Sequence, residues 1–142
     1  MAYNLKLHIR NDTKDSLQLV EQTCWIGAGT LWHTVLGGYS LDMKNSGSSG
    51  MLRFLASNGE FFTIAVGVHN YKRWCDVMVN TGDSTPLIKL HPNYYDEKHA
   101  KYKCLWEQSA EDEMTTKAGE KVRVSFYVKE GNELRGEITW SG

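Results

Sequence analysis

His69, Asn70 and Tyr71 follow one another where an alternating run, Phe62, Ile64, Val66 and Val68, gives way to a different pattern. An imidazole, an amide and a phenol exposed together at the rim of a sheet suit a sugar. Pyranose hydroxyls need donors and acceptors at fixed angles, and the apolar C–H face of the ring can lie on an aromatic side chain. The same residues have a structural reading, in which Asn70 caps a following helix and His69 is hydrogen-bonded in the core. Upstream, Lys44-Asn45-Ser46-Gly47-Ser48-Ser49-Gly50 precedes a strand at Met51. Its small residues let a ligand approach the backbone, and its hydroxyls and amides can bind one. It also reads as a flexible hairpin loop, and it lacks the lysine-serine ending and following helix of a phosphate loop.

Other chemistries find weaker support. Glycoside hydrolysis needs two carboxylates roughly 5 to 9.5 Å apart across the scissile bond. Asp42, Glu60 and Asp76 are singletons, and Glu111-Asp112-Glu113 reads as a solvated charge run. Cys75 lies six residues after His69, yet its place on an apolar stripe favours burial over nucleophilic attack. Cys24, Cys75 and Cys104 are odd in number and widely spaced, which fits reduced, buried thiols in the cytosol and neither a disulfide framework nor a zinc site. The five histidines are scattered as well. No catalytic residue, metal or cofactor is assigned.

The elements that must position these groups are mostly strands. Tyr3, Leu5, Leu7 and Ile9 alternate near the start, Val122, Val124, Phe126 and Val128 near the end. Tyr39, Leu41 and Met43 repeat the pattern, as do Leu52 with Phe54, and Leu134, Ile138 and Trp140 close the chain. At least six strands follow. Asn58-Gly59 and Glu130-Gly131-Asn132 tolerate positive φ and predict tight hairpins. Tyr71, Trp74, Cys75 and Met78 stand at i, i+3, i+4 and i+7, which predicts a short helix packed on a sheet with Trp74 toward the core. Tyr95, His99, Tyr102 and Trp106 predict a second helix within Asp96 to Glu113. The expected architecture is all-β dominated: an antiparallel β-sandwich of two sheets joined by a short helical connection, with residues 1-142 in a single domain.

Composition agrees with one compact soluble domain: 41% hydrophobic and 23% charged residues over 142 positions, with two prolines. Sixteen Lys and Arg against 17 Asp and Glu leave a formal charge of -1, a balance with no field for gripping a phosphate backbone. The uncharged stretch from Gln22 to Leu41 is broken by glycines, hydroxyl residues and His33, so no transmembrane helix is expected. The alternating N-terminus is unlike a secretory signal, and a cytoplasmic location is expected.

Gly67-Val68-His69-Asn70-Tyr71-Lys72-Arg73-Trp74-Cys75-Asp76 resembles the signature segment of the fungal fruit-body lectin family, which also has relatives outside fungi. Further matches run along the chain: Val20-Glu21-Gln22-Thr23 leading to Trp25, Ser46-Gly47-Ser48-Ser49-Gly50 before Leu52-Arg53-Phe54, Asn93-Tyr94-Tyr95, and Glu130-Gly131-Asn132-Glu133-Leu134. The resemblance implies an actinoporin-like β-sandwich with a helix-loop-helix between its sheets, assembled as a homodimer or homotetramer. It implies reversible binding of the T-antigen disaccharide, Gal-β1,3-GalNAc, with a role in defence against animals that feed on the producing organism.

For that disaccharide the resemblance points to Ala28, Ser46, Gly47, His69, Asn70 and Tyr71, all of which match. The stretch from Trp25 to Trp32 is one residue shorter than usual, with Gly29-Thr30-Leu31 in place of Asn-Gly-Gly-Thr, so the wall beside Ala28 is expected to be reshaped. A second site implied by the family, for N-acetylglucosamine, keeps Asp76 and Val77. Its threonine falls on Val79, and its arginine and tyrosine are not recognisable, with Lys101 or Lys103 as partial substitutes for the arginine. Binding there is expected to be weak or lost. The rival class is an actinoporin-like membrane-perforating protein. That function needs a detachable amphipathic segment, whereas the first residues here alternate like a sheet strand.

Overall fold

A computed structural model describes residues 1–26, 29–79 and 85–142. Among these the chain forms ten strands: β1 (Tyr3–Asn11), β2 (Leu17–Trp25), β3 (Leu31–Val35), β4 (Gly38–Met43), β5 (Ser49–Ala56), β6 (Phe61–His69), β7 (Lys72–Val79), β8 (Glu111–Thr115), β9 (Lys121–Val128) and β10 (Glu133–Ser141). They build a six-stranded sheet in the order β3-β4-β1-β10-β9-β8 and a four-stranded sheet in the order β2-β5-β6-β7. Between β7 and β8, and so between the sheets, lie two short helices, α1 (Leu87–Leu90) and α2 (Cys104–Glu107), with 3₁₀ turns over His91–Tyr95 and Ala100–Lys103.

The alternating runs become strands because one face of each meets the opposite sheet. Leu5, Leu7 and Leu41 from one sheet and Phe54, Phe62, Ile64 and Val66 from the other share a core with Val124, Ile138 and Trp140. Phe62 stacks on Phe54 at 5.0 Å and on Trp140 at 5.2 Å. The predicted hairpins at Asn58-Gly59 and Glu130-Gly131-Asn132 join β5 to β6 and β9 to β10. One pairing departs from the antiparallel expectation: β1 runs parallel to β10 over Asn4↔Glu133 to Asn11↔Trp140. Hairpin logic governs strands joined by a tight turn, and these two come from opposite ends of the chain. Since β1 also pairs with β4, the first strand is enclosed in its sheet on both sides.

The helix expected at Tyr71 to Met78 is instead strand β7, antiparallel to β6 from His69↔Lys72 to Phe62↔Val79. The four-stranded sheet is covered on both faces, which explains the misleading stripe. Cys75 and Val77 point into the inter-sheet core. Trp74 is fully buried on the other face with Met51, Ala65, Leu87, Tyr94 and Leu105, and Met78 packs there too. Apolar residues on both faces of a strand defeat a period of two. The second predicted helix survives only as the 3₁₀ turn and α2, ending at Glu107. Glu111-Asp112-Glu113 is not a loose charge run but the start of β8, with Asp112 half-buried and accepting a 2.8 Å bond from the Val77 N–H. Cys24 is exposed, against the expectation of buried thiols, while Cys75 and Cys104 are buried.

The layer between the four-stranded sheet and the helical segment is partly polar. Arg53, 2% exposed, donates to Glu21 at 2.9 Å, and the other Glu21 oxygen accepts the Leu87 N–H at 2.7 Å. An ion pair thus pins the start of α1 onto β2 and β5.

Candidate functional site

The segment Lys44 to Ser48 is not a hairpin loop; it carries the chain from β4 in one sheet to β5 in the other. It is held against the end of β6 by backbone bonds, Gly47 N–H to the Val68 carbonyl at 2.7 Å and Val68 N–H to the Ser48 carbonyl at 3.0 Å. Gly47 has φ +94°, a conformation that L side chains rarely adopt, which accounts for glycine there.

Asn70 and Tyr71 are the two central residues of the β6–β7 hairpin, not a helix start, so the capping reading of Asn70 falls. Both have positive φ, 49° and 66°. A two-residue hairpin with both φ values positive is the mirror-image turn that matches the twist of the flanking strands. Asn is at home there, but a bulky Tyr is uncommon. The side chains of Asn70 and Tyr71 are exposed, Tyr71 by 76%. The Tyr71 N–H donates to Ser46 Oγ at 2.9 Å, joining the hairpin to the inter-sheet segment.

His69, the last residue of β6, is half-buried beneath this turn. Its ring meets Trp106 edge-on at 4.7 Å, and Trp106 is itself 53% exposed. Burial pushes the imidazole pKa down, so the ring is neutral at physiological pH, with one donor and one acceptor nitrogen. Gln108, in a left-handed conformation after α2, donates from Nε2 to the His69 carbonyl at 2.8 Å, and its own carbonyl accepts from Arg73 at 2.7 Å. The helical segment therefore clamps the base of the hairpin.

Ser46, Gly47, His69, Asn70 and Tyr71 thus come together at one end of the sandwich, and Ala28 lies outside the described residues. Trp106 and Gln108 join them unforeseen. Neither is near the hairpin in sequence, and only the return of the helical segment across the sheet brings them there. The assembly presents an exposed amide, an exposed phenol, a neutral imidazole and an aromatic face on a hydrogen-bonded backbone.

Asp76 and Val77 lie elsewhere, on β7 beneath the helical segment. Asp76, 8% exposed, accepts a 2.6 Å bond from the Tyr94 hydroxyl and lies 2.8 Å from Lys101 Nζ. Val79 packs against the inter-sheet core. A cleft of about 220 Å³ is lined here by Asp76, Val77, Lys101, Lys103 and Asp112 among others. Repulsion from Asp76 adds to burial in raising the Asp112 carboxyl pKa.

The profile of the fungal fruit body lectin family matches residues 1–138. The chain is 37% identical to the Boletus edulis lectin of Boletus edulis over 144 aligned positions, covering 99% of this chain and all of that protein. In structure it is similar to the crystallised Xerocomus chrysenteron lectin, with a TM-score of 0.92 to both the wild type (35% identity, 99% of this chain and 100% of the other) and a triple methionine variant (37% identity, 99% of each). With the family profile matched over residues 1–138 and the fold shared at a TM-score of 0.92, this chain belongs to the fungal fruit body lectin family, a family of carbohydrate-binding lectins.

Proposed function

We propose that the protein binds Gal-β1,3-GalNAc and related Gal and GalNAc glycans, reversibly, at the rim formed by Ser46, Gly47, His69, Asn70 and Tyr71, with Ala28 as the sixth contributor. The observation that carries this reading is the 2.9 Å bond from the Tyr71 N–H to Ser46 Oγ. It ties the two sequence-remote halves of the site into one preformed edge, so little ordering has to accompany capture of a sugar. Asn70 can serve a hydroxyl or acetamido group with both halves of its amide, neutral His69 supplies a donor or acceptor, and Tyr71 offers a flat surface to the galactose C–H face.

A single wet sugar site binds weakly, so function on a glycosylated surface calls for several sites in one particle. A homodimer or homotetramer fits that need, as does a defensive role against animals that consume the producer. Three unpaired cysteines suit a reducing cytoplasm. A glycan array probed with the parent and with Asn70→Ala tests the reading: the parent should mark Gal-β1,3-GalNAc structures and the variant should lose them. Retention by the variant refutes the site, and a blank array for the parent refutes the specificity. Liposome leakage by the same protein would favour the perforation alternative, against which the two-sided pairing of β1 argues.

A further inference from the structure

We propose that Tyr95 is a positioning residue for this sugar site, holding the Gly47 carbonyl at the end of a one-directional chain of hydrogen bonds that begins at Thr23; the inference rests on the sugar reading above. Four contacts make the chain. Thr23 Oγ1 lies 2.8 Å from His91 Nδ1, and His91 Nε2 lies 2.8 Å from Ser49 Oγ. Ser49 Oγ lies 2.7 Å from the Tyr95 hydroxyl, which lies 3.3 Å from the Gly47 carbonyl oxygen.

Proton counting fixes the direction. A carbonyl only accepts, so Tyr95 must spend its single O–H on Gly47. Its oxygen then accepts from the Ser49 hydroxyl, whose own proton is thereby committed. Ser49 can accept from His91 only if Nε2 carries the hydrogen, which leaves Nδ1 as acceptor for the Thr23 hydroxyl. Each donor is used once. The chain sets the His91 tautomer, and burial, with His91 2% and Ser49 0% exposed, keeps water from competing with it.

Tyr95 is aimed without help from its hydroxyl. Its ring stacks on Trp25 at 4.5 Å with the planes 8° apart. Gly47 is thus gripped on both sides of its backbone, its N–H by β6 through Val68 and its carbonyl by the helical segment through Tyr95. Because Ser46 precedes Gly47 and accepts the Tyr71 N–H, an error in Gly47 is passed directly to the hairpin.

The test is Tyr95→Phe, which keeps the Trp25 stack and removes only the hydroxyl, compared with Thr116→Val, which removes a buried hydroxyl bonded to Glu60 near the start of β6, the end opposite the hairpin. Titration calorimetry with Gal-β1,3-GalNAc and amide hydrogen exchange at Gly47 are read on the parent and both variants. Tyr95→Phe should weaken disaccharide binding about 3- to 10-fold and speed Gly47 exchange by a similar factor, the range expected for one neutral hydrogen bond. Thr116→Val should change neither. Parent-like binding and exchange in Tyr95→Phe overturn the inference, and so does equal weakening by Thr116→Val, which would make the effect one of general stability. If the parent ignores the disaccharide while Gly47 exchange still quickens in Tyr95→Phe, the sugar reading falls and the positioning relation stands.

Discussion

Lys101 Nζ lies 2.8 Å from Asp76 Oδ2, the same oxygen that accepts the Tyr94 hydroxyl at 2.6 Å. The carboxylate that a second sugar would need is already engaged by the protein's own cation and phenol. The adjacent Val77 N–H is spent on Asp112. A sugar hydroxyl would have to displace a half-buried, charge-assisted contact and gain little in return.

N-acetylglucosamine should therefore give no saturable signal in ligand-observed NMR with the parent at concentrations where Gal-β1,3-GalNAc does. A crystal soak that places the monosaccharide on Asp76 would sink this expectation. Lys101→Ala, which removes the cation and leaves only the Tyr94 hydroxyl on that Asp76 oxygen, is the variant in which weak binding should first be seen.

The sandwich was legible because strands such as β1 and β9 bury one face only, so Leu5, Leu7, Val122 and Val124 keep a strict alternation. β7 was not, because the inter-sheet core and the helical layer each claim one of its faces, and Trp74 beside Cys75 then mimics a helical stripe. β2, β3 and β8 went unread for other reasons: Val20 beside Leu19 and Leu31 beside Trp32 are exposed apolar residues that break the alternation, and β8 has a single apolar residue, Met114, itself exposed. At the site, His69-Asn70-Tyr71 drew notice by residue type alone. Its partnership with Ser46 was legible only through resemblance, and the parts played by Tyr95, His91, Trp106 and Gln108 depend on where the helical segment lands on the sheet, which no local pattern encodes.

Tyr71 holds φ 66° with a bulky side chain 76% exposed, so the folded protein pays nothing back for that side chain in burial. Such a conformation costs a non-glycine residue about 1 kcal/mol or more. Tyr71→Gly should leave stability in a urea titration unchanged or raise it by up to about 1 kcal/mol, the relief being partly offset by glycine's greater freedom in the unfolded chain. Disaccharide binding should fall at least about 10-fold, consistent with loss of an aromatic contact. A variant that is clearly destabilised, or that binds as the parent does, would show that Tyr71 serves the fold and not the ligand.

His91 links stability to pH. Burial brings its pKa down from 6.5 to about 4, so the unfolded chain takes up a proton that the folded protein refuses. The stabilisation is complete above about pH 6.5 and declines as pH falls toward 4, with a loss of about 2 kcal/mol between pH 7 and pH 5. Urea midpoints measured across that interval should slope downward on acidification in the parent. In His91→Gln, which removes the titrating group, the slope should flatten. An identical slope in both proteins would assign it to other groups.

Gly67 and Gly59 separate two reasons for a glycine on the same strand system. At Gly59, in the β5–β6 turn, φ is +91° and a Cβ would meet nothing within 4 Å, so Gly59→Ala should cost about 1 kcal/mol through backbone strain and leave sugar binding intact. Gly67 lies within β6, where a Cβ would stand 2.6 Å from the Ser48 carbonyl oxygen, 2.6 Å from Ser49 Cβ and 2.9 Å from Trp74 Nε1. That carbonyl accepts the Val68 N–H and helps hold the inter-sheet segment against β6. Gly67→Ala should cost about 2 kcal/mol in overpacking. It should also push Ser48 and Gly47 away from the hairpin, so disaccharide affinity falls along with thermal stability. If Gly67→Ala lost stability but bound the disaccharide as tightly as Gly59→Ala, the seating of that segment on β6 would not be what shapes the site.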